Sequence, residues 1–188
     1  FVGEARFSRP ARLAATGALC AFLAAHISAA STRNRAWADS ETFWKYQAGE
    51  LPRNPAPLMN LGETREILGD DASAARTYGT VCERFGEVPE ALHRLGRIAR
   101  RQGHLDTAQA LYERAAELSP RDPRPLNNLA EVHLARGEPM KAIEVFERLT
   151  QEHPRYLLAR ANLARALESA RREDEAADHW RFIVEHAE

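Results

Sequence analysis

The sequence predicts an all-α fold: a right-handed superhelical solenoid of helix-turn-helix repeats, preceded by an apolar helix near the N-terminus. Three observations predict it. Leu61-Gly62, Leu95-Gly96, Leu129-Ala130 and Leu163-Ala164 recur at a constant spacing of 34 residues with no insertion. Within each unit two runs of helical periodicity flank a break; in one unit Leu92, Leu95, Gly96 and Ala99 precede Gly103, and Leu105, Ala108, Leu111, Tyr112 and Ala115 follow it. From Leu13 to Thr32, twenty residues run without a formal charge between Arg12 and Arg33.

Composition sets the frame for these signals. At 188 residues the chain fits one domain with an appended segment, and 44% apolar with 28% charged residues excludes disorder and collagen-like sequence. Net charge is −1, but residues 1–54 carry seven Lys/Arg against four acids while 55–188 carry nineteen against twenty-three. A mildly acidic repeat region argues against nucleic acid as a partner. Two cysteines, Cys20 and Cys82, with no CxxC spacing, give neither a disulfide framework nor a zinc site.

Taken in order, residues 1–12 form a basic flank and 13–32 an apolar helix. Twenty helical residues span about 30 Å, enough for a bilayer core. Eight of the twenty are Ala, and Gly17, Ala21, Ala25 and Ala29 lie four apart, the spacing that lets one transmembrane helix pack on others. The reading preferred is therefore a transmembrane helix packed in a bundle. A signal peptide cleaved near Ala30 and a helix packed on the repeats stay open beside it. Arginines flank both ends, so charge asymmetry gives no orientation.

Residues 33–54 hold a junction and half a repeat. Stepping back 34 residues puts Trp44 in the column of Tyr78, Tyr112, Phe146 and Trp180, so a second-type helix is expected over 36–51. Four full repeats follow at 55–88, 89–122, 123–156 and 157–188. Their second helices carry the small residues Ala74, Ala108, Ala142 and Ala176; their breaks carry Gly69, Gly103, Gly137 and Arg171. Pro52, Pro120 and Pro154 fill a further column, with Gly86 in the slot between Pro52 and Pro120. Small residues let paired helices approach, glycine suits the left-handed turn after a helix, and proline closes the unit. These columns resemble the tetratricopeptide repeat.

The segment RNRAWADSETFWKYQAGELPRNPAPLMNLGE, residues 33–63, resembles the C-terminal region of transmembrane-and-tetratricopeptide-repeat protein O-mannosyltransferases and their bacterial relatives. That resemblance implies a last membrane helix followed by repeats on the luminal or periplasmic side, joined to a glycosyltransferase domain whose catalytic acids lie outside this chain. No catalytic residue carries over, and the chain itself is read as no enzyme. No HExxH, phosphate-cradling glycine loop or nucleophile triad occurs, so neither cofactor nor metal is expected.

The leading function expected is a membrane-tethered scaffold presenting a concave groove to a protein or peptide. The alternatives are the acceptor-recognition region of a membrane O-glycosyltransferase and an anchored accessory or assembly subunit. Helix geometry selects the groove. If the core stripe of each first helix uses repeat positions 4, 7, 8 and 11, a second stripe lies on positions 2, 5, 6, 9, 12 and 13. That stripe gives Asn60, then Arg94, Arg97 and Arg101, then Asn127 and Asn128, then Asn162 and Arg165 as binding residues. An amide both donates and accepts, which suits a peptide backbone, and the series resembles the asparagine ladder of O-GlcNAc transferases. The arginines suit a carboxylate, or else pair with Glu63, Glu90 and Glu131 of neighbouring helices. The last unit stops after Trp180, Ile183 and Val184 with no polar capping helix, so a further repeat, a partner or a second copy is expected there.

Overall fold

The computed structural model describes residues 40–186. Among them lie nine helices and no strand: α1 (Ser40–Glu50), α2 (Ala56–Ile67), α3 (Asp71–Phe85), α4 (Pro89–Arg101), α5 (Leu105–Leu118), α6 (Pro123–Ala135), α7 (Pro139–Glu152), α8 (Leu157–Ser169) and α9 (Glu173–His186). The apolar segment 13–32 lies outside the described residues. Within them, no helix is long and apolar enough to cross a membrane.

Local chemistry explains the helix boundaries. α4, α6 and α7 begin with proline, whose fixed φ suits the first turn and whose missing N–H is not needed there. Asp70 and Asp122 cap α3 and α6 by accepting the backbone N–H of Ser73 and Arg124. Gly69, Gly103 and Gly137 take φ of 79°, 79° and 72°, the left-handed turn that reverses the chain between paired helices. At the fourth such turn Arg171 stands in place of glycine and adopts φ 61°.

The chain divides into two compact units, Phe1–Thr64 and Arg65–Glu188. In the first, α1 has no buried residue; Lys45 pairs with Glu41 at 2.8 Å, and Phe43 meets Trp44 edge-on with ring centroids 4.6 Å apart. In the second, each helix from α3 to α9 packs on the next, and α4 also touches α6. First helices of successive repeats thus line up along one face.

The second unit's core follows the repeat columns. Ala74, Ala108 and Ala142 are wholly buried and Ala176 nearly so, because each sits where two helix backbones approach. Tyr78, Tyr112 and Phe146 are also wholly buried, and Phe146 packs with Ala130, Leu163 and Leu167 across the junction of two repeats. Complete burial of such a ring contributes about 1.5–3 kcal/mol. Trp180, in the same column, is only partly buried, and its indole N–H donates to Glu168 at 2.7 Å. Gly96 shows why this column pairs with a small residue: a Cβ there would lie 2.7 Å from Cε1 of Tyr112.

Candidate functional site

On the first-helix face an amide network crosses three helices. Asn162 of α8 donates from Nδ2 to Asn127 Oδ1 at 3.0 Å and to Glu131 at 3.4 Å. Asn127 of α6 donates in turn to Glu131 at 3.3 Å and to Asn128 Oδ1 at 3.5 Å, and Asn128 Nδ2 reaches His93 Nε2 of α4 at 2.8 Å. An amide nitrogen only donates, so His93 accepts at Nε2 and keeps its proton on Nδ1. Burial pushes the His93 imidazole below its ordinary pKa, with Glu90 opposing, which favours this neutral form. Asn127 and Asn162 are 1% and 8% exposed, so their mutual bonds satisfy amides that would otherwise be costly to bury.

The arginines of α4 meet carboxylates of neighbouring helices and, at Glu90, of α4 itself. Arg94 pairs with Glu90 at 2.9 Å and with Glu66 at 3.8 Å; Arg97 pairs with Glu66 at 3.8 Å. Arg101 binds Asp71 at 2.7 Å and Glu66 at 3.2 Å, and Asp71 raises its pKa. Arg100 pairs with Glu131 at 3.2 Å. The Glu66 side chain is 7% exposed and also accepts the Tyr78 hydroxyl at 2.9 Å, so it forms the hub of this cluster. The charge expected to await a ligand is thus largely balanced within the repeats.

Between α4, α6 and α8 lies an open groove of about 520 Å³, walled by Arg100, Glu131, Leu134, Asn162, Arg165 and Ser169. Arg165 is exposed and has no ion pair among the described residues, unlike the arginines of α4. Of the residues selected from sequence, Asn162 and Arg165 line this groove. Asn127 and Asn128 stand beside it in the amide network. Arg94, Arg97 and Arg101 gather instead around Glu66. Asn60 belongs to the first unit, where its backbone carbonyl accepts the Thr64 hydroxyl at 2.9 Å.

Helix geometry puts Glu66, Arg100 and Glu131 on the same stripe, at repeat positions 12, 12 and 9, and Glu131 is among the partners expected for the arginines; sequence reasoning missed Glu66 and Asp71 as partners. A signal for them was present. Opposite charges separated by about one repeat become neighbours when repeats stack: Glu66 and Arg101, Glu90 and Arg124, Arg100 and Glu131, Asp106 and Arg136.

Two family models described as tetratricopeptide repeat match residues 99–150 and 127–181. No curated protein matches the sequence. Solved structures share the fold. The crystal structure of MamA is 24% identical with a TM-score of 0.66, covering 77% of this chain and 84% of that one. MamA from residue 41 to its end, from Desulfovibrio magneticus RS-1, is 20% identical with a TM-score of 0.69, covering 89% and 94%. YrrB, described as a TPR protein with an unusual peptide-binding site, is 16% identical with a TM-score of 0.63, covering 76% and 74%. At these identities the likeness carries the fold alone.

Proposed function

We propose, from the premise that the chain is built of tetratricopeptide repeats, that it is a non-catalytic scaffold whose groove between α4, α6 and α8 holds an extended polypeptide. The observation that carries this reading is that three successive first helices each send a polar side chain to one open groove: Arg100, Glu131 and Asn162. Such a surface matches the alternating donors and acceptors of a peptide backbone. Arg165, free of an internal carboxylate, supplies selectivity for an acidic side chain on the ligand. That a repeat protein of the same fold is described by its peptide-binding site supports the class of ligand, not its identity.

The test is a panel of labelled peptides of matched length with Glu, Gln or Lys at one position. Asn162→Ala weakens all of them by roughly fivefold, the equivalent of about 1 kcal/mol for a lost hydrogen bond. Arg165→Ala weakens the Glu peptides selectively. Arg97→Ala, whose partner is Glu66, leaves the preference among peptides unchanged. Equal binding by the parent, Asn162→Ala and Arg165→Ala moves the ligand off this face.

The membrane tether belongs to the same proposal and rests on residues 13–32. The full chain then sediments with membranes and resists alkaline extraction, whereas residues 36–188 do not. The reading as the acceptor-recognising end of a luminal or periplasmic O-glycosyltransferase rests on the resemblance of residues 33–63. An upstream multispanning domain in the reading frame is what it requires.

A further inference from the structure

The last repeat departs from the other three at two linked columns. Repeat position 4 holds Leu58, Leu92 and Leu126, then Arg160. Position 26 holds Thr80, Arg114 and Arg148, then Phe182. A leucine has become an arginine where a polar residue has become aromatic, and the two side chains meet: the Arg160 guanidinium carbon lies 3.7 Å from the Phe182 ring centroid. His186 stacks on the same ring at 3.9 Å, only 10° from parallel. Two groups this close to one centroid must occupy opposite faces, so Phe182 is sandwiched between the guanidinium and the imidazole.

This stack stands beside a cleft of about 620 Å³ lined by Arg155, Leu157, Phe182, Glu185 and His186. It is separate from the groove of the first-helix face, with which it shares no lining residue. Neither Arg155 nor Arg160 has a carboxylate within ion-pair distance among the described residues, whereas Arg172 and Arg181 of the last repeat do. Arg160 instead donates to His179 Nδ1 at 3.4 Å, and its Nε is buried without a partner. Half-buried positive charge with no counter-charge is costly, and an anion brought to the cleft would relieve that cost.

We propose that this cleft at the last repeat is a second binding site, taking the carboxylate of an acidic residue flanked by apolar side chains in a peptide. Arg155 contacts the carboxylate by bidentate hydrogen bonding, Leu157 and the Phe182 edge take the flanking apolar groups, and Arg160 supplies positive potential from behind the ring. Glu185 on the cleft wall sets the limit on ligand charge. It repels a dianion more than a monoanion, so the site favours a carboxylate over phosphate.

The test uses the full chain and nuclear magnetic resonance of arginine Nε–H and histidine ring signals. The probes are acetyl-Leu-Glu-Leu-amide, the same peptide with Gln, and inorganic phosphate. The Glu peptide shifts the Arg155 and His186 signals saturably, while the Gln peptide and phosphate bind at least tenfold more weakly. Arg155→Ala, at an exposed position, loses most of this binding. Arg160→Leu restores the leucine of the other repeats, keeps the fold, and weakens the Glu peptide severalfold; Phe182→Thr, the residue of the first repeat, gives the same result should Arg160→Leu fail to fold. Arg165→Ala leaves these signals and their shifts unchanged, which separates this site from the groove. Equal binding of the Glu and Gln peptides, phosphate binding as tight as the Glu peptide, or full binding by Arg155→Ala overturns the proposal.

Discussion

Gly96 and Gly79 are both helical glycines, yet substitution by alanine has opposite expected outcomes. Alanine is worth about 0.5–1 kcal/mol more than glycine inside a helix. At Gly79 nothing lies within 4 Å of an added Cβ, so Gly79→Ala stabilises by that amount. At Gly96 the methyl would press on the wholly buried Tyr112 ring, and overpacking of this kind costs about 1–3 kcal/mol. Urea titration of both variants reads the contrast, and a stabilising Gly96→Ala would show that the Tyr112 ring can move. His93 gives a residue-scale pH dependence. Burial lowers its folded pKa below the unfolded value, so the unfolded chain binds more protons over the window between them. Stability is therefore complete above the unfolded pKa of about 6.5 and falls as pH drops below it. His93→Gln should flatten part of the loss in melting temperature between pH 7 and pH 5; an identical pH profile would remove His93 as its source.

At the scale of elements, the four turns between paired helices share one geometry but not one residue. Gly69, Gly103 and Gly137 adopt positive φ without steric cost, whereas Arg171 at φ 61° holds its Cβ against the following carbonyl. Arg171→Gly should raise stability by roughly 1 kcal/mol, measured as a higher denaturation midpoint with unchanged slope. No change would mean that the arginine side chain offsets the strain. The capping aspartates work at this scale too. Desolvation raises the Asp122 pKa, but the side-chain and backbone hydrogen bonds from Arg124 outweigh it and leave the carboxyl below its usual range. Asp122→Ala should destabilise by about 1 kcal/mol at neutral pH, the usual worth of an N-cap. That difference from the parent narrows as acid protonates the carboxylate. A constant difference down to pH 2 would assign the cost to something other than the cap.

For the second unit as a whole, helices pack on their sequence neighbours, so its stability is a chain of nearest-neighbour terms rather than one shared core. α4, α6 and α8 contribute six buried residues each, whereas α9 buries only Ala176 and leaves Val184 80% exposed. Hydrogen exchange should therefore be slowest in α4, α6 and α8 and fastest in α9, with α9 slowing when a ligand or second copy covers it. Protection of α9 equal to that of α6 in the isolated, monomeric chain would contradict this order.

The 34-residue columns in the sequence determined the repeat class, the pairing of helices at Gly103 and Gly137, and the burial of Tyr78, Tyr112 and Phe146. Each follows from a local rule, periodicity or turn chemistry, that acts within a few residues. They also placed Asn162 and Arg165 on a common face, because helix geometry assigns faces before any packing is known. Only the tertiary structure decided what those faces do. Whether Arg97 and Arg101 are free or bound depends on Glu66 and Asp71, about thirty residues away, and whether Asn162 offers its amide outward depends on Asn127 of the preceding repeat. Hydrogen bonds and ion pairs act over about 3–4 Å, so the stacking of one repeat on the next, which no local pattern specifies to that precision, sets which charges meet.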